Sequence, residues 1–362
     1  MLSKIKSLIN TTKGSQDNKQ ALEGYSAILG MGHWAPEDSI EIADVEKQIK
    51  EKTGATLNLS KMVGIERYRV IKKGDTLIDM GMLAINQAIE NTQQNIPDFK
   101  TSDIDLVIYC GVSREQLEPA TAVYFHNKLN LKGATAFDVT DACLGMLDAL
   151  LIADSFIATG RFRQILLIST EAGSAIAQIA MNHILAGENL RDHFPSLTLG
   201  DGAAAMIIGA PRNSKNGLLK LKYSLRETFS EYCDLCVIKD LYTPMHTDAR
   251  KLFDAAISKY PNMLRKVTKA CGWKIKEIDL YVPHQASKKA VEQGAREFGV
   301  GIERVCFSIV DYGNMASAAV PFTLSQTLKR HGKLNKEKIM LAGFGSGLGV
   351  AIIALEHEFF KE

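Results

Sequence analysis

The 362-residue sequence is poor in cysteine, in net charge and in long apolar runs. Six irregularly spaced cysteines in a chain of this length do not suggest a disulfide-rich secreted domain, so we expect reduced thiols and a cytoplasmic protein. A net charge of +2 does not predict a nucleic-acid partner. Because no apolar run reaches the roughly 18 residues of a membrane helix, no membrane span is predicted.

Two further segments lack the features of common functional motifs. Residues 1–24 are polar and lysine-bearing, without the apolar core of a secretory signal, and we predict a flexible or docking N-terminal extension. A targeting or membrane-surface role is the alternative. Cys233 and Cys236 form a CxxC with no second CxxC and no nearby His pair. We interpret them as a partly buried structural pair, with zinc or redox chemistry as the alternative.

Apolar runs typical of buried strands alternate with helix-length segments, which predicts an α/β fold. The predicted strands are 25–32, 105–111, 135–139, 164–170, 203–209, 279–284 and 338–345. The clearest predicted helices are 77–93 and 143–160, and the second is expected to be capped by Gly160.

A weak internal repeat divides the chain into two similar halves, 25–212 and 213–362, joined by a turn-rich connection near 210–220. Residues 99–116 resemble residues 274–290. Residues 137–169 resemble residues 307–343, and both of these segments have the pattern of a strand, a turn and a helix. The repeat aligns Cys143 with Asn314, and the strand end at Cys110 with that at His284. If the halves pack about a pseudo-twofold axis, these groups converge.

Four features offer chemistry, although each alone is also typical of a structural role. A thiol at Cys143, where a helix begins after a strand, would lie among free backbone N–H groups that favour the thiolate, a nucleophile for acyl transfer. His284 follows a strand, and a neutral imidazole can donate to a thioester carbonyl. The amide of Asn314 can polarise a carbonyl without changing charge. The glycines of 343–349 let backbone N–H groups approach a ligand.

In this order, the four features resemble the ketoacyl synthase III branch of the thiolase-like superfamily over residues 25–358. The resemblance rests on DACLGMLDAL, LTLGDGAAAMIIG, LYVPHQA, DYGNMASAAVP and GFGSG. It implies layers of the order α-β-α-β-α, an acylated Cys143, and His284 with Asn314 on the carbonyl of the second thioester. It also implies an oxyanion hole of the Cys143 and Ser346 backbone N–H groups, a homodimer, coenzyme A or acyl-carrier-protein thioesters as substrates, and neither cofactor nor metal.

The sequence departs from the initiating synthases where those bind coenzyme A. Asn58 and Met62 replace the Trp and Arg that clamp adenine, and Ser287 and Lys289 replace an Asn and an Arg. Adenine stacking is therefore not expected, but lysines could meet a phosphate or an acidic carrier protein. The predicted substrate-binding residues are Ser287, Lys288, Lys289, Gly345 and Gly347, with Arg161 and Arg163 as further candidates. Residues 179–185 and 230–246 are candidates for the walls of an acyl tunnel.

Glu118 lies before a proline, where initiating synthases carry an apolar residue. It resembles the glutamate of OleA-type synthases, which reaches across the dimer and generates a carbanion from a second acyl-CoA. A carboxylate held in a dry tunnel would have a raised pKa, which suits a base. Residues 245–257 also resemble that group. The alternative is a solvated loop carboxylate.

The sequence therefore predicts an acyltransferase that forms a C–C bond by Claisen condensation through acyl-Cys143, in fatty acid or related lipid synthesis. One alternative is OleA-like condensation of two acyl-CoAs without decarboxylation. A second is transfer of the acyl group to an oxygen or nitrogen acceptor. A non-catalytic partner subunit ranks last, because Cys143, His284 and Asn314 are all present.

Overall fold

The computed structural model describes residues 20–239, 243–331 and 338–360. Its strands are β1 (Leu22–Glu23), β2 (Ala27–Trp34), β3 (Ser39–Glu41), β4 (Arg67–Arg69), β5 (Leu106–Tyr109), β6 (Thr135–Asp138), β7 (Gln164–Ala172), β8 (Asp201–Gly209), β9 (Leu218–Thr228), β10 (Cys236–Val237), β11 (His246–Thr247), β12 (Leu280–Pro283), β13 (Lys338–Gly345) and β14 (Gly349–Glu358). Its α-helices are α1 (Ile42–Thr53), α2 (Leu59–Val63), α3 (Leu77–Asn95), α4 (Thr121–Lys128), α5 (Gly145–Ala158), α6 (Gly173–Leu185), α7 (Leu190–His193), α8 (Ala249–Cys271), α9 (Lys288–Glu297), α10 (Ile309–Tyr312) and α11 (Ala319–His331).

Ten strands form one mixed sheet with the order β12-β13-β14-β9-β2-β8-β7-β5-β6, and β1 pairs with β9 outside this path. The pairs β12–β13, β5–β6 and β5–β7 are parallel, and the other pairs are antiparallel. The sheet has two arms, which meet where β2 pairs with β9. One arm has the order β2-β8-β7-β5-β6 and the other has the order β9-β14-β13-β12. In each arm, two antiparallel pairs are followed by a parallel pair. This is the arrangement that the internal repeat predicts.

Successive residues of the strands enter different cores, because neighbouring side chains of a strand point to opposite faces. On β7, Leu167 belongs to the central core and Ile168 to an outer core. On β13, Leu341 and Ala342 divide in the same way. The central core joins both arms of the sheet to α5 and α11, so these two helices form a middle layer.

Two outer helical layers cover the remaining sheet faces. Helices α3 and α4 bury their apolar side chains against β2, β5, β7 and β8, and α8 and α9 bury theirs against β12, β13 and β14. A fourth cluster joins α1, α2 and α6 to the 3-10 helix Phe194–Thr198. The α/β class and the α-β-α-β-α layers predicted from the sequence are confirmed.

Several local predictions need correction. The strand predicted in the second copy of the repeat, after residue 306, is reduced to an isolated bridge between Tyr281 and Val305, followed by α10. Strands β9 and β14 and the 23-residue helix α8 were not predicted. Helix α5 is capped by Thr159, one residue before the left-handed Gly160. The chain passes between the halves at 210–217, and the boundary at residue 212 stays a prediction.

The predicted N-terminal extension is described only in part, since residues 1–19 lie outside the described chain. Leu22 and Glu23, which belong to the segment predicted to be flexible, instead form a strand that pairs with Ser224 and Tyr223 of β9. Among the helices of the described residues, none combines the length and apolarity that crossing a membrane requires.

Candidate active site

Cys143 lies in a tight turn between β6 and α5. The 3-10 helix Ala142–Leu144 forms this turn, in which the Leu144 N–H donates to the Asp141 carbonyl at 2.9 Å. Ala142 has a φ of 45°, a left-handed conformation that L-residues rarely adopt. Gly145 begins α5 so close to β5 that a Cβ would lie 2.3 Å from the Cys110 carbonyl oxygen. The start of α5 therefore lies directly against the C-terminal end of β5.

The surroundings of Cys143 differ from the prediction. Its thiol lies two residues before α5, inside the 3-10 turn, rather than at the start of a regular helix. Burial raises the pKa of the thiol well above its usual range, and the charges of Cys236, Glu171 and Asp141 raise it further. Burial therefore opposes the thiolate form that the sequence predicts for Cys143.

The turn is tied to β9 by an ion-pair network. Arg226 donates through Nε to Asp148 of α5 at 2.9 Å and through a terminal nitrogen to Asp141. Burial and the neighbouring Asp141 raise the pKa of Asp148 to about 6, against the lowering effect of Arg226. This network links the residues on both sides of Cys143 to the other arm of the sheet.

His284 follows β12, where its backbone N–H donates to the Ala342 carbonyl at 2.7 Å. The buried side chain of Gln285 fixes the next residue, because it donates to the Pro283 and Cys306 carbonyls at 2.8 and 3.1 Å. The imidazole is buried, its Nδ1 has no hydrogen-bond partner among the described residues, and burial lowers its pKa to about 4. His284 is therefore a neutral ring at physiological pH.

Asn314 is held on three sides by backbone hydrogen bonds. Its N–H donates to the Thr198 carbonyl at 2.8 Å, and its carbonyl accepts the Gly200 N–H at 3.1 Å. The side-chain Oδ1 accepts the Ala316 N–H at 3.0 Å, so the amide presents its NH₂ group as a donor. Gly313 precedes it with a φ of 75°, and a Cβ there would meet that of Tyr68 at 2.7 Å.

The glycine-rich segment forms the turn between β13 and β14. Gly345 and Gly349 are paired across the ladder, and Ser346, Gly347 and Leu348 make the turn, with φ values of 78° and 40° at the last two. A Cβ on Gly345 would lie 3.0 Å from Leu144 Cγ, beside the Cys143 turn. The backbone of this loop therefore closely approaches the turn that holds Cys143.

One cavity of about 640 Å³ brings these groups together: Cys143, His284, Asn314, Gly345 and Ser346 all line it. Its other walls are mostly apolar and come from α2, the 3-10 helix 194–198, α8 and α9. They include Met62, Val63, Phe194, Pro195, Met245, Leu252, Phe253, Ala256, Ile257, Phe298, Phe344 and Leu348. A thiol, an imidazole and an amide thus face an apolar tunnel, which suits an acyl chain bound as a thioester.

The comparisons with known proteins agree with this geometry. Two family models match, 3-oxoacyl-[acyl-carrier-protein (ACP)] synthase III over residues 137–225 and its C-terminal counterpart over residues 268–357. The beta-ketoacyl-[acyl-carrier-protein] synthase III 1 of Vibrio vulnificus strain YJ016 is 28% identical over 327 residues, which are 89% of this chain and 96% of the relative. The corresponding Clostridium acetobutylicum synthase III is 27% identical over 332 residues, 89% and 95% of the two chains.

Solved structures show the shared fold. Xanthomonas campestris OleA superposes with a TM-score of 0.84 and 24% identity, over 93% of this chain and all of the other. A FabH 3-oxoacyl-(acyl carrier protein) synthase III from Xanthomonas oryzae pv. oryzae superposes with a TM-score of 0.83 and 24% identity, over 92% and 99%. The chain is a ketoacyl synthase III-like enzyme with the thiolase-like fold. It is an acyl-thioester condensing enzyme, and therefore an acyltransferase.

The remaining predicted site residues of this synthase divide into two groups. Ser287, the N-cap of α9, and the exposed Lys289 line the cavity. Lys288 packs beside Gly64 instead, Gly347 lies outside the lining, and Asn58 caps α2. Residues 179–185 are in α6, outside the cavity lining, and among the described residues of 230–246 Cys236 and Met245 reach it.

Glu118 and the two arginines also lie away from the cavity. Glu118 is exposed in the loop before α4 and is not among the lining residues of its own chain. Arg161 and Arg163 are exposed just before the N-terminal end of β7, where Arg163 approaches Asp105 at 3.7 Å. The two arginines therefore do not meet a substrate at this site.

Sequence reasoning missed three residues of the synthase site. Arg226 carries no motif, and its role depends on the pairing of β9 with β14. Glu171 ends the apolar strand β7, a position that could have marked it, and it accepts the backbone N–H groups of Val112, Ser113 and Ser317. Burial raises the pKa of Glu171 to about 7. Cys236 was interpreted as structural, but its thiol lines the cavity and accepts the Thr247 hydroxyl at 3.3 Å.

Proposed function

We propose that this synthase carries an acyl group on Cys143 and joins it to the carbanion of a second thioester in a Claisen condensation. The observation that supports this is the apolar cavity onto which Cys143, His284, Asn314 and Ser346 all face. Each of these residues supplies one function that the two half-reactions require. The product is a β-ketoacyl thioester, as the names of the synthase III relatives suggest.

The first half-reaction moves an acyl group from a donor thioester to Cys143. Because burial raises the pKa of the thiol, its proton is lost as the sulfur attacks the carbonyl, the donor's C–S bond breaks, and the departing thiolate takes up a proton and leaves as a free thiol. One thioester replaces another, so the transfer is close to balanced in free energy. The backbone N–H groups of Cys143 and Ser346 stabilise the oxyanion, and the apolar walls hold the acyl chain.

The second half-reaction makes and uses a carbanion. His284 and Asn314 donate to the carbonyl oxygen of the second thioester and stabilise its enolate. A neutral imidazole suits this role, because burial keeps the pKa of His284 at about 4 and the ring can donate without carrying charge. When the second substrate is a malonyl thioester, loss of carbon dioxide creates the carbanion, so no base is required. The carbanion then attacks the acyl-Cys143 carbonyl and releases the thiol.

The substrates are coenzyme A or acyl-carrier-protein thioesters. Lys289 and Arg250 line the cavity and are exposed, so they are placed to meet phosphates or an acidic carrier. Thiol, imidazole, amide and backbone N–H groups supply the whole reaction, and no cofactor or catalytic metal is required. The six cysteines carry no disulfide, which supports a cytoplasmic enzyme.

OleA-like condensation of two acyl-CoAs is the second candidate. It requires a base, and Glu118 is exposed beside Leu117, whose side chain is 79% exposed. An exposed apolar residue next to the carboxylate favours burial of this loop in a homodimer, where Glu118 would reach the cavity of the other subunit. Transfer of the acyl group to an oxygen or nitrogen acceptor requires neither a malonyl group nor Glu118.

The first experiment measures the intact mass of the protein after mixing with acyl-CoAs of two to sixteen carbons and with the matching carrier thioesters. We expect a mass gain of one acyl group, absent from Cys143→Ala and retained in Cys236→Ala. Acylation of Cys236→Ala but not of Cys143→Ala identifies the nucleophile and its preferred chain. Acylation that persists in Cys143→Ala would remove the proposed mechanism.

Product analysis then separates the three reactions. Carbon dioxide released from a malonyl thioester, dependent on His284 and Asn314, supports decarboxylative condensation. A β-keto acid formed from one acyl-CoA alone, and lost in Glu118→Ala, supports the OleA-like route. Acylated Cys143 that reacts only with an alcohol or amine acceptor would show that the protein is a simple acyltransferase.

A further inference from the structure

A cluster of two histidines and one glutamate lies outside the catalytic set, between α6 and the cavity wall. His183 is in the last turn of α6, Glu188 is in the following loop, and His193 ends α7. Their ligand atoms all lie within 4.8 Å of one another. His183 Nδ1 contacts Glu188 Oε1 at 2.6 Å, and His193 Nε2 contacts Glu188 Oε2 at 2.9 Å.

We propose that His183, Glu188 and His193 bind a divalent transition-metal ion, with zinc as the best match. Two imidazole nitrogens and a carboxylate are a ligand set that zinc uses in proteins, at about 2 Å from each donor atom. Hard cations such as Mg²⁺ and Ca²⁺ prefer oxygen ligands alone. Because the three donor atoms are already so close together, small rotations of the two more exposed side chains, His183 and Glu188, are enough to close the site.

His193 would supply a buried ligand that already points at Glu188. The ring is buried, its Nε2 faces Glu188, and its Nδ1 has no hydrogen-bond partner among the described residues. The Nε2 atom is therefore already directed toward the position that the proposed ion would share with Glu188. Glu188 is half exposed, which leaves room for water to complete the coordination.

The position of the cluster gives the metal a structural role in the synthase. His193 is followed directly by the 3-10 helix Phe194–Thr198, of which Phe194, Pro195 and Thr198 line the cavity. The Thr198 carbonyl accepts the N–H of Asn314. A metal that joins the end of α6 to His193 would therefore fix both one wall of the acyl tunnel and the backbone support of Asn314.

The test uses the full-length protein after removal of metals with a chelator. Zinc alone is titrated in competition with a chromophoric indicator, and we expect one ion per chain. His183→Ala and Glu188→Gln, both at partly exposed positions, should each weaken binding at least tenfold. His126→Ala is the matched control, because His126 is a partly buried histidine that contacts the Ala134 carbonyl and lies outside the cluster.

Cobalt and thermal unfolding supply readouts that do not depend on activity. A visible Co²⁺ spectrum without an intense thiolate charge-transfer band is expected, and such a band would instead identify cysteine ligands. Zinc should raise the melting temperature of the wild type by a few degrees and leave that of His183→Ala unchanged. Absence of binding, or binding that survives both His183→Ala and Glu188→Gln, would overturn the proposal, whereas loss of acylation in Cys143→Ala has no bearing on it.

Discussion

His284 combines deep burial with a polar ring whose Nδ1 makes no hydrogen bond within the part of the chain that the structure describes. Such a residue reduces stability when it must take up a proton, because the charged ring cannot be solvated in place. In the proposed reaction, a neutral donor is what the developing enolate requires, so the buried ring suits that role. The catalytic use of the residue and its effect on stability therefore have the same physical cause.

This residue predicts a specific pH dependence of stability. The pKa of His284 is about 4 in the folded state against an ordinary value of 6.5, so the unfolded chain binds its proton first as the pH falls. Stability is therefore fully present above pH 6.5 and decreases between pH 6.5 and about 4. Between about pH 7.5 and about pH 5, we expect the wild type to lose about 2 kcal/mol more than His284→Asn in denaturant unfolding.

Comparing the wild type with His284→Asn isolates the contribution of His284 to the pH dependence of stability. His33, whose pKa burial also lowers to about 4, and Glu171, whose pKa is raised to about 7, change stability equally in both and cancel. Parallel stability curves for the wild type and His284→Asn over this pH range would show that the ring is already solvated or charged in the folded enzyme.

At the scale of elements, β9 connects the turn that holds Cys143 to the second arm of the sheet. Arg226 lies near the C-terminal end of this strand and contacts carboxylates on both sides of Cys143, Asp141 before it and Asp148 after it. Without the guanidinium, the two acids would face each other, and the turn containing the left-handed Ala142 would lose its external support. Arg226 is thus a positioning residue for the thiol.

Arg226→Met should therefore destabilise the fold by about 2–3 kcal/mol and slow acylation of Cys143 by about tenfold or more, with a smaller effect on KM. The measurements are denaturant unfolding and single-turnover acylation followed by mass. Lys222→Met is the control, since Lys222 is on the same strand, pairs with Glu356 and has similar burial. It should reduce stability without changing the acylation rate. If both variants slowed acylation of Cys143 equally, Arg226 would stabilise the fold in general and would not position the thiol.

Much of the element pattern could be predicted from the sequence, for reasons that particular residues illustrate. Buried strands such as β7 and β13 are continuous apolar runs, and turn residues around Gly145 and Gly313 carry local signals. Strand β9 alternates lysines with apolar residues and has no such run. The thiol pKa, the Arg226 network and the position of Cys236 depend on contacts between residues about 80 to 95 apart along the chain, which no local pattern reports.

At the scale of the whole molecule, the sheet ends at β6, whose outer edge has no partner among the described strands. Exposed apolar side chains lie in the same region, at Leu117 before α4 and at Val123 and Tyr124 within it. An open strand edge and an apolar patch are both features that proteins cover. We therefore expect a homodimer in which this face of one subunit packs against that of the other.

Leu117→Asp combined with Val123→Asp should convert the dimer to a monomer in light scattering. Ile302→Asp, at an exposed apolar residue of the second half, should leave the dimer intact. A monomeric wild type, or equal dissociation by the control, would contradict this interface.

The same interface decides whether Glu118 acts across it. Cys143→Ala and Glu118→Ala chains, each inactive in acyl-CoA self-condensation, are mixed in equal amounts and allowed to exchange. Half of the random dimers are mixed, and each mixed dimer has one site with an intact Cys143 and an intact Glu118 from its partner subunit. Activity should then return to roughly a quarter of the wild-type value. No recovery despite demonstrated exchange would mean that Glu118 serves the cavity of its own chain or none, and decarboxylative condensation would remain the reaction that the geometry supports.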